Sequence, residues 1–199
     1  MSPLFLLKDL LSRALERKWA IIALILLCLC STICGIVFIK TPTFFDYHLK
    51  ICDRFLDRVC YSDRSVFLIC IERTTGSVFF LLLILAGGLH PATLVLPTAA
   101  LAFRAYTFGG TLAILFSVYG VSGSLIAFTL YMPVHLLLDI LFLCAGSISF
   151  SRAFSFHFCM EDFRELLFDF LILSVLILLI CILEAILLGV LFHPLGNLL

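Results

Sequence analysis

The chain has 199 residues, of which 63% are apolar and 13% charged, with 13 basic residues balancing 13 acidic ones. Soluble domains are about half apolar and about a quarter charged, so this chain has too little polar surface for a water-soluble body. The same composition excludes an intrinsically disordered chain, and the lack of a basic excess excludes a nucleic-acid partner. The sequence therefore predicts an all-α, polytopic membrane protein whose solvent is the lipid bilayer.

Residues 1–18 form the first predicted unit, an N-terminal amphipathic cytosolic segment. Leu4, Leu7 and Leu11 recur at helical spacing, and charged side chains take the other side of the helix. Such a helix either lies in the membrane interface or simply extends the first span into the cytosol. The first transmembrane helix is predicted over residues 19–39, a run of 21 residues without a charge.

Residues 40–76 are predicted to form an extracytoplasmic helical loop. One side of this segment is apolar and the other is charged, as in a surface helix. Two interpretations fit this pattern: a solvated linker whose apolar side rests on the membrane, or a docking surface for an extracytoplasmic partner. The candidate docking residues are Asp46, Lys50, Asp53, Arg54, Asp57 and Arg58.

Residues 77–192 are predicted to form a core of four transmembrane helices, followed by a short C-terminal tail over residues 193–199. The 78 residues between Arg73 and Arg152 contain two charges, and as helix they are long enough for three crossings of the bilayer. The predicted spans cover residues 77–97, 104–119, 125–149 and 170–192, with a kink or a broken helix at Gly87, Gly88, His90 and Pro91 inside the second span of the chain. About five spans result, and the distribution of basic residues favours a cytoplasmic N-terminus.

The nine cysteines do not indicate a metal site, because their spacing matches no zinc finger or ribbon. A disulfide that joins Cys70 to Cys52 or Cys60 stays open. No nucleophile elbow, phosphate loop or metalloprotease motif is present. The sequence therefore predicts no catalytic residues, no metal and no cofactor, and an enzyme is disfavoured.

The charged and polar residues inside the predicted spans are the sharpest functional candidates. His135 and Asp139 share one face of the fourth span at i,i+4 spacing, and Arg104 opens the third span. They either form a proton relay or ion path, or clasp two helices together for packing while Arg104 anchors its span at the interface. The candidate packing residues of the third span and its turn are Gly109, Gly110, Gly120 and Gly123.

The run FRAYTFGGTLAILFSVYGVSGSLIAFTLYMPVHLLLDIL, which starts at Phe103, resembles the bacterial stage II sporulation protein M family. That family has a basic residue opening a glycine-rich third span, a turn that contains glycine, and a fourth span with a Leu-Pro-Gln-Asn-Leu-Leu-like stretch. The matching positions here are Arg104, Gly109, Gly120, Gly123 and residues 132–137. Val134 and His135 stand where the family has Gln and Asn, and the resemblance covers roughly residues 62–140.

The resemblance implies a membrane scaffold that acts during engulfment in sporulation, in the bacterial cell membrane. Such a scaffold holds two extracytoplasmic cell-wall hydrolases, the stage II sporulation D and P proteins, and carries no catalysis itself. The residues alone leave an alternative, a small transporter or permease subunit that uses His135 and Asp139. The oligomeric state is open, a homo-oligomer included.

Overall fold

The computed structural model describes residues 18–60, 66–153 and 160–187, which are helical over nearly their whole length. The α-helices are α1 (Lys18–Phe38), α2 (Pro42–Cys60), α3 (Val66–Ala86), α4 (Val95–Val118), α5 (Gly120–Ile126), α6 (Met132–Ala153) and α7 (Met160–Leu187). Two short 3₁₀ turns, Gly87–Leu89 and Pro91–Leu94, connect α3 to α4. A π-helical stretch, Ala127–Tyr131, joins α5 to α6.

Within the described residues, five helical segments are long and apolar enough to cross a membrane: Lys18–Phe38, Cys70–Leu89, Pro91–Val118, Gly120–Ala153 and Asp162–Leu187. Large apolar side chains on their outer surface are about half exposed, for example Leu29, Leu82 and Leu179. So much exposed apolar surface is typical of a surface that faces lipid. The prediction of an all-α membrane protein with about five spans is confirmed.

The helix is broken at the glycine-rich segment around His90, one of the two forms that the sequence predicted, but the break separates the second and third spans instead of lying inside the second. The backbone of His90 is extended, its Nδ1 accepts a hydrogen bond from the Ala92 amide at 3.1 Å, and Pro91 follows it in the first position of the next turn. An extended residue before a proline ends a helix. The third span therefore begins at Pro91, 13 residues before Arg104, and Arg104 does not open it.

The fourth span is longer than predicted and begins with a tight connection at Gly120. Gly120 has a φ of +55°, a left-handed conformation that glycine adopts without a steric penalty. The π-helical stretch that follows precedes Pro133, which lacks an amide proton and crowds the carbonyl four residues earlier. The fifth predicted span likewise starts earlier, because α7 begins at Met160 and takes in charged residues assigned to the loop before it.

Helices α1 and α4 pack closely along their length and run in the same direction. A Cβ at Gly35 would overlap with the Tyr106 carbonyl oxygen, and a Cβ at Gly109 would overlap with the Thr32 carbonyl oxygen. Contact between backbones at this distance requires residues without side chains. The predicted packing role of Gly109 thus has a defined partner, the first span.

Helix α2 lies against α4 and buries its apolar side. Cys52, Phe55 and Leu56 are all buried and share a core cluster with residues of α4 and of the stretch around Tyr131. The predicted units 1–18 and 193–199 lie outside the described residues, except for Lys18.

Candidate functional site

Arg104 and Asp139 form an ion pair between α4 and α6. Arg104 Nε donates to Asp139 Oδ1 at 2.7 Å, and the guanidinium carbon lies 4.5 Å from the centre of the Phe142 ring. At about 1.5 Å per residue, each partner is about 20 Å from the same end of its span, so the pair lies within the spans and away from their ends. Two charges at this depth are tolerated because they neutralise one another.

A second ion pair joins α3 to α7 beside His135. Arg73 Nη2 and Nε donate to Glu184 Oε1 at 2.6 and 3.0 Å. Arg73 Nη2 also lies 3.3 Å from His135 Nε2. A guanidinium group can only donate, so His135 Nε2 accepts and a neutral His135 carries its proton on Nδ1.

The structure therefore assigns His135 and Asp139 to different interactions. Asp139 pairs with Arg104, and His135 pairs with Arg73, although the two residues share one helix face. Neither one is hydrogen-bonded to the other. Arg104, which the sequence predicted to anchor its span at the interface, is instead an ion-pair partner deep in the bundle.

A third ionic group lies at the opposite end of the bundle from α2. Arg152, in the last turn of α6, donates to Asp169 at 2.8 Å and to Glu165 at 3.2 Å. The Asp169 side chain is fully buried. These contacts fasten α6 to α7 where the two helices are connected in sequence.

A half-open cavity of about 290 Å³ lies between α2 and the spans. Its polar lining includes Arg54 from α2, Arg73 from α3, Arg104 from α4 and His135 from α6. Tyr131 lies on the same wall, and its ring centre is 4.2 Å from that of His135. The cavity thus brings together basic side chains from four helices.

The packing of α2 depends on His48, whose ring fits against the backbone of Gly110. The His48 side chain is 0% exposed, and its ring centre lies 5.1 Å from that of Tyr106. Burial lowers the pKa of His48, because the protonated ring would lose its hydration. For the same reason, burial raises the pKa of the neighbouring Cys52 thiol to about 12.

The charged side of α2 faces outward. Asp46, Lys50, Asp53 and Arg54 are exposed, and Asp53 Oδ1 accepts a hydrogen bond from the Tyr119 hydroxyl at 2.9 Å. The side chains of the two other docking candidates, Asp57 and Arg58, lie outside the described part of the chain. Of the packing glycines, Gly110 contacts α2, and Gly123 packs against the Leu115 carbonyl across the turn.

The cysteines that the structure describes are free thiols, Cys52 and Cys70 included. Cys60 has no described side chain. No group of three histidine, cysteine or acidic side chains among the described residues could hold a metal ion.

Sequence reasoning missed the partners Arg73 and Glu184. Arg73 lies in residues 40–76, which the sequence predicts as an extracytoplasmic loop, and the pattern of residues assigns no partner to Glu184. One signal could have found the second partner. Apart from Lys40 at the end of the first span, the charges outside residues 8–18, 46–73 and 161–169 are Arg104, Asp139, Arg152 and Glu184, and an isolated charge in an apolar run needs a partner.

The fold and these buried ion pairs define a multi-pass α-helical membrane protein with a basic cavity between its spans. Comparison with protein-family models, with curated proteins and with solved structures gave no match for the chain.

Proposed function

We propose that the chain is a scaffold in the bacterial cell membrane that holds extracytoplasmic cell-wall hydrolases during engulfment. This is the role that the resemblance to the stage II sporulation protein M family implies. The observation that carries the proposal is the fixed position of α2, whose charged side is presented outward from one end of the bundle. A partner can dock on a surface that is already fixed without a change in its backbone conformation, and exposed charges of this kind fit the polar rim of a protein interface.

The burial of α2 supports a docking role over that of a flexible linker. Cys52, Phe55 and Leu56 are buried against the spans, whereas Asp46 and Lys50 are exposed on the opposite side. Removing the apolar side from water stabilises the docked position, so the exposed charges keep a defined arrangement. With a cytoplasmic N-terminus, this surface lies outside the cell, where wall hydrolases act.

In this proposal the chemistry belongs to the partners, the stage II sporulation D and P proteins. The buried charged side chains of the scaffold form ion pairs with one another, as in Arg104–Asp139 and Arg73–Glu184. Their role is to fix the spans that support α2.

The proposal is tested by crosslinking and co-purification of the tagged full chain from sporulating cells. We expect the wild-type chain to recover the two hydrolases. Exchanging the charges of α2 (Asp46→Lys with Lys50→Glu) keeps the net charge and should reduce recovery several-fold. Arg164→Glu, an exposed change on α7, serves as the control and should recover as much as wild type. If wild-type protein is present at normal levels and recovers neither hydrolase, the scaffold proposal is wrong.

A transporter or permease subunit is the second candidate, and the polar cavity between the spans favours it. Transporters place substrate contacts inside the membrane between helices. Under this alternative, Asp139→Asn should abolish proton-coupled uptake into proteoliposomes while the protein still folds. An Asp139→Asn variant that loses thermal stability, with no uptake by the wild-type protein, would instead indicate a packing role.

A further inference from the structure

The cavity under α2 carries an excess positive charge. Arg54, Arg73 and Arg104 contribute three positive charges to its lining. Their ion-pair partners Glu184 and Asp139 contribute two negative charges, which leaves a net charge of one. The unbalanced charge belongs to Arg54, for which the described residues supply no ion pair.

Three groups in the cavity wall that can donate hydrogen bonds also have no partner. Arg104 Nη2, His135 Nδ1 and Thr111 Oγ1 are buried, and none has a hydrogen-bond partner in the described part of the chain. Because His135 Nε2 accepts from Arg73, the unpartnered Nδ1 is the protonated nitrogen of a neutral ring. Unsatisfied buried donors are uncommon in proteins, and three of those in the described residues belong to side chains that line this one cavity.

The edge of the cavity is apolar and reaches the lipid-facing surface. Phe80 and Phe103 stack with ring centres 6.5 Å apart, and Phe103 is 50% exposed on the outside of the bundle. Ile51 of α2 lines the same cavity. A ligand that fits both parts has an anionic group for the arginines and a hydrocarbon chain for the aromatic edge.

We propose that this cavity binds the phosphodiester headgroup of an anionic phospholipid, with an acyl chain lying along Phe80 and Phe103. Guanidinium groups bind phosphate oxygens through paired hydrogen bonds. A phosphodiester monoanion balances the single net charge and supplies acceptors for Arg104 and His135. Phospholipids and soluble inorganic phosphate both carry a phosphate group, and the apolar edge of the cavity favours the lipid. The inference stands apart from the scaffold role and does not depend on it.

The test is native mass spectrometry of the full chain in detergent, titrated with phosphatidylglycerol, phosphatidylcholine or inorganic phosphate. We expect one phosphatidylglycerol to bind at least about tenfold more tightly than phosphatidylcholine. Arg54→Gln should weaken this binding by about tenfold, the usual effect of losing a hydrogen bond to a charged group. Lys50→Gln is the matched control: it removes an exposed charge from the same helix but leaves the cavity lining unchanged.

Each result decides the proposal. Equal weakening by Arg54→Gln and Lys50→Gln would show general attraction to a basic surface and overturn the site. Equal binding of the two lipids would do the same. Binding of inorganic phosphate that depends on Arg54, without preference for phosphatidylglycerol, would overturn the lipid assignment. A melting curve of Arg54→Gln that matches wild type checks that the variant is folded.

Discussion

Replacing Gly110 with alanine should weaken the attachment of α2 to the bundle. The new Cβ would overlap with three atoms of the His48 ring. The ring is buried and has the Tyr106 ring beside it, so it cannot withdraw unless α2 moves. The expected result is a larger population of molecules in which α2 is transiently undocked.

The size of the effect follows from two opposing terms. Adding a methyl group to a packed site costs about 1–3 kcal/mol. The higher helix propensity of alanine, worth about 1 kcal/mol, cancels because α4 is helical whether or not α2 is docked. At about 1.4 kcal/mol per factor of ten, the undocked population should rise about 5- to 150-fold.

The bundle itself should stay folded in this variant. The buried side of α2 includes Cys52, Phe55 and Leu56, which at about 1.5–3 kcal/mol each contribute about 5–9 kcal/mol, an upper bound for docking. A cost of about 1–3 kcal/mol leaves the docked state dominant. The increase in the undocked population therefore has to be measured with an assay that detects transient undocking of α2.

Labelling of Cys52 with a maleimide, in a chain whose other cysteines are replaced, provides that assay. Cys52 is 0% exposed and its pKa is raised to about 12, so the docked thiol is both shielded and protonated. Labelling must then pass through the undocked state. Gly76→Ala is the control, because among the described residues no atom outside the adjoining backbone of its own helix lies within 4 Å of a Cβ at that position.

A double-mutant cycle with His48→Ala identifies the cause. Without the ring, the methyl group of Gly110→Ala has room. The double variant should therefore be labelled less than about twofold faster than His48→Ala alone, compared with an increase of at least about 5-fold when the ring is present. Labelling of Gly110→Ala at the Gly76→Ala rate, or an undiminished effect in the His48→Ala background, would refute the packing argument.

Further predictions concern the ion pair, pH and orientation. Asp139→Ala should lower the free energy of unfolding by about 3–5 kcal/mol because it leaves a buried Arg104 unpaired. The double variant Arg104→Met with Asp139→Leu removes both charges and should lose less stability. Denaturation in detergent measures both losses, and equal losses would contradict the pairing. Because burial lowers the pKa of His48, its contribution to stability is full above the unfolded pKa of about 6.5 and decreases by up to about 1.4 kcal/mol per pH unit as the pH falls toward the folded value. Between pH 7.5 and pH 5.5, the melting temperature should fall further in wild type than in His48→Gln, and equal falls would contradict a role for His48. The cysteine of a Lys50→Cys variant should be labelled from outside intact cells, and that of an Arg164→Cys variant should not. The reverse result would show that α2 lies on the cytoplasmic side.

The positions of charges along the chain were predictable, but their partners were not. Arg104 and Asp139 are 35 residues apart, and Arg73 and Glu184 are 111 residues apart. Which charges meet depends on the rotation of each helix about its axis and on the relative heights of the spans. Periodicity within one helix reports neither quantity, so the i,i+4 spacing of His135 and Asp139 suggested a joint role that the structure divides between two pairs.

The sequence by itself determined that lipid is the solvent and that about five helices cross it, because bilayer thickness and the cost of an unpaired charge act on each segment separately. It also determined which side of α2 is apolar. Only the tertiary structure decided that this side packs on α4 through His48 and Gly110, and that three arginines from separate helices line one cavity. Those features require contacts between distant segments, which are fixed by the close packing of the helices around one another.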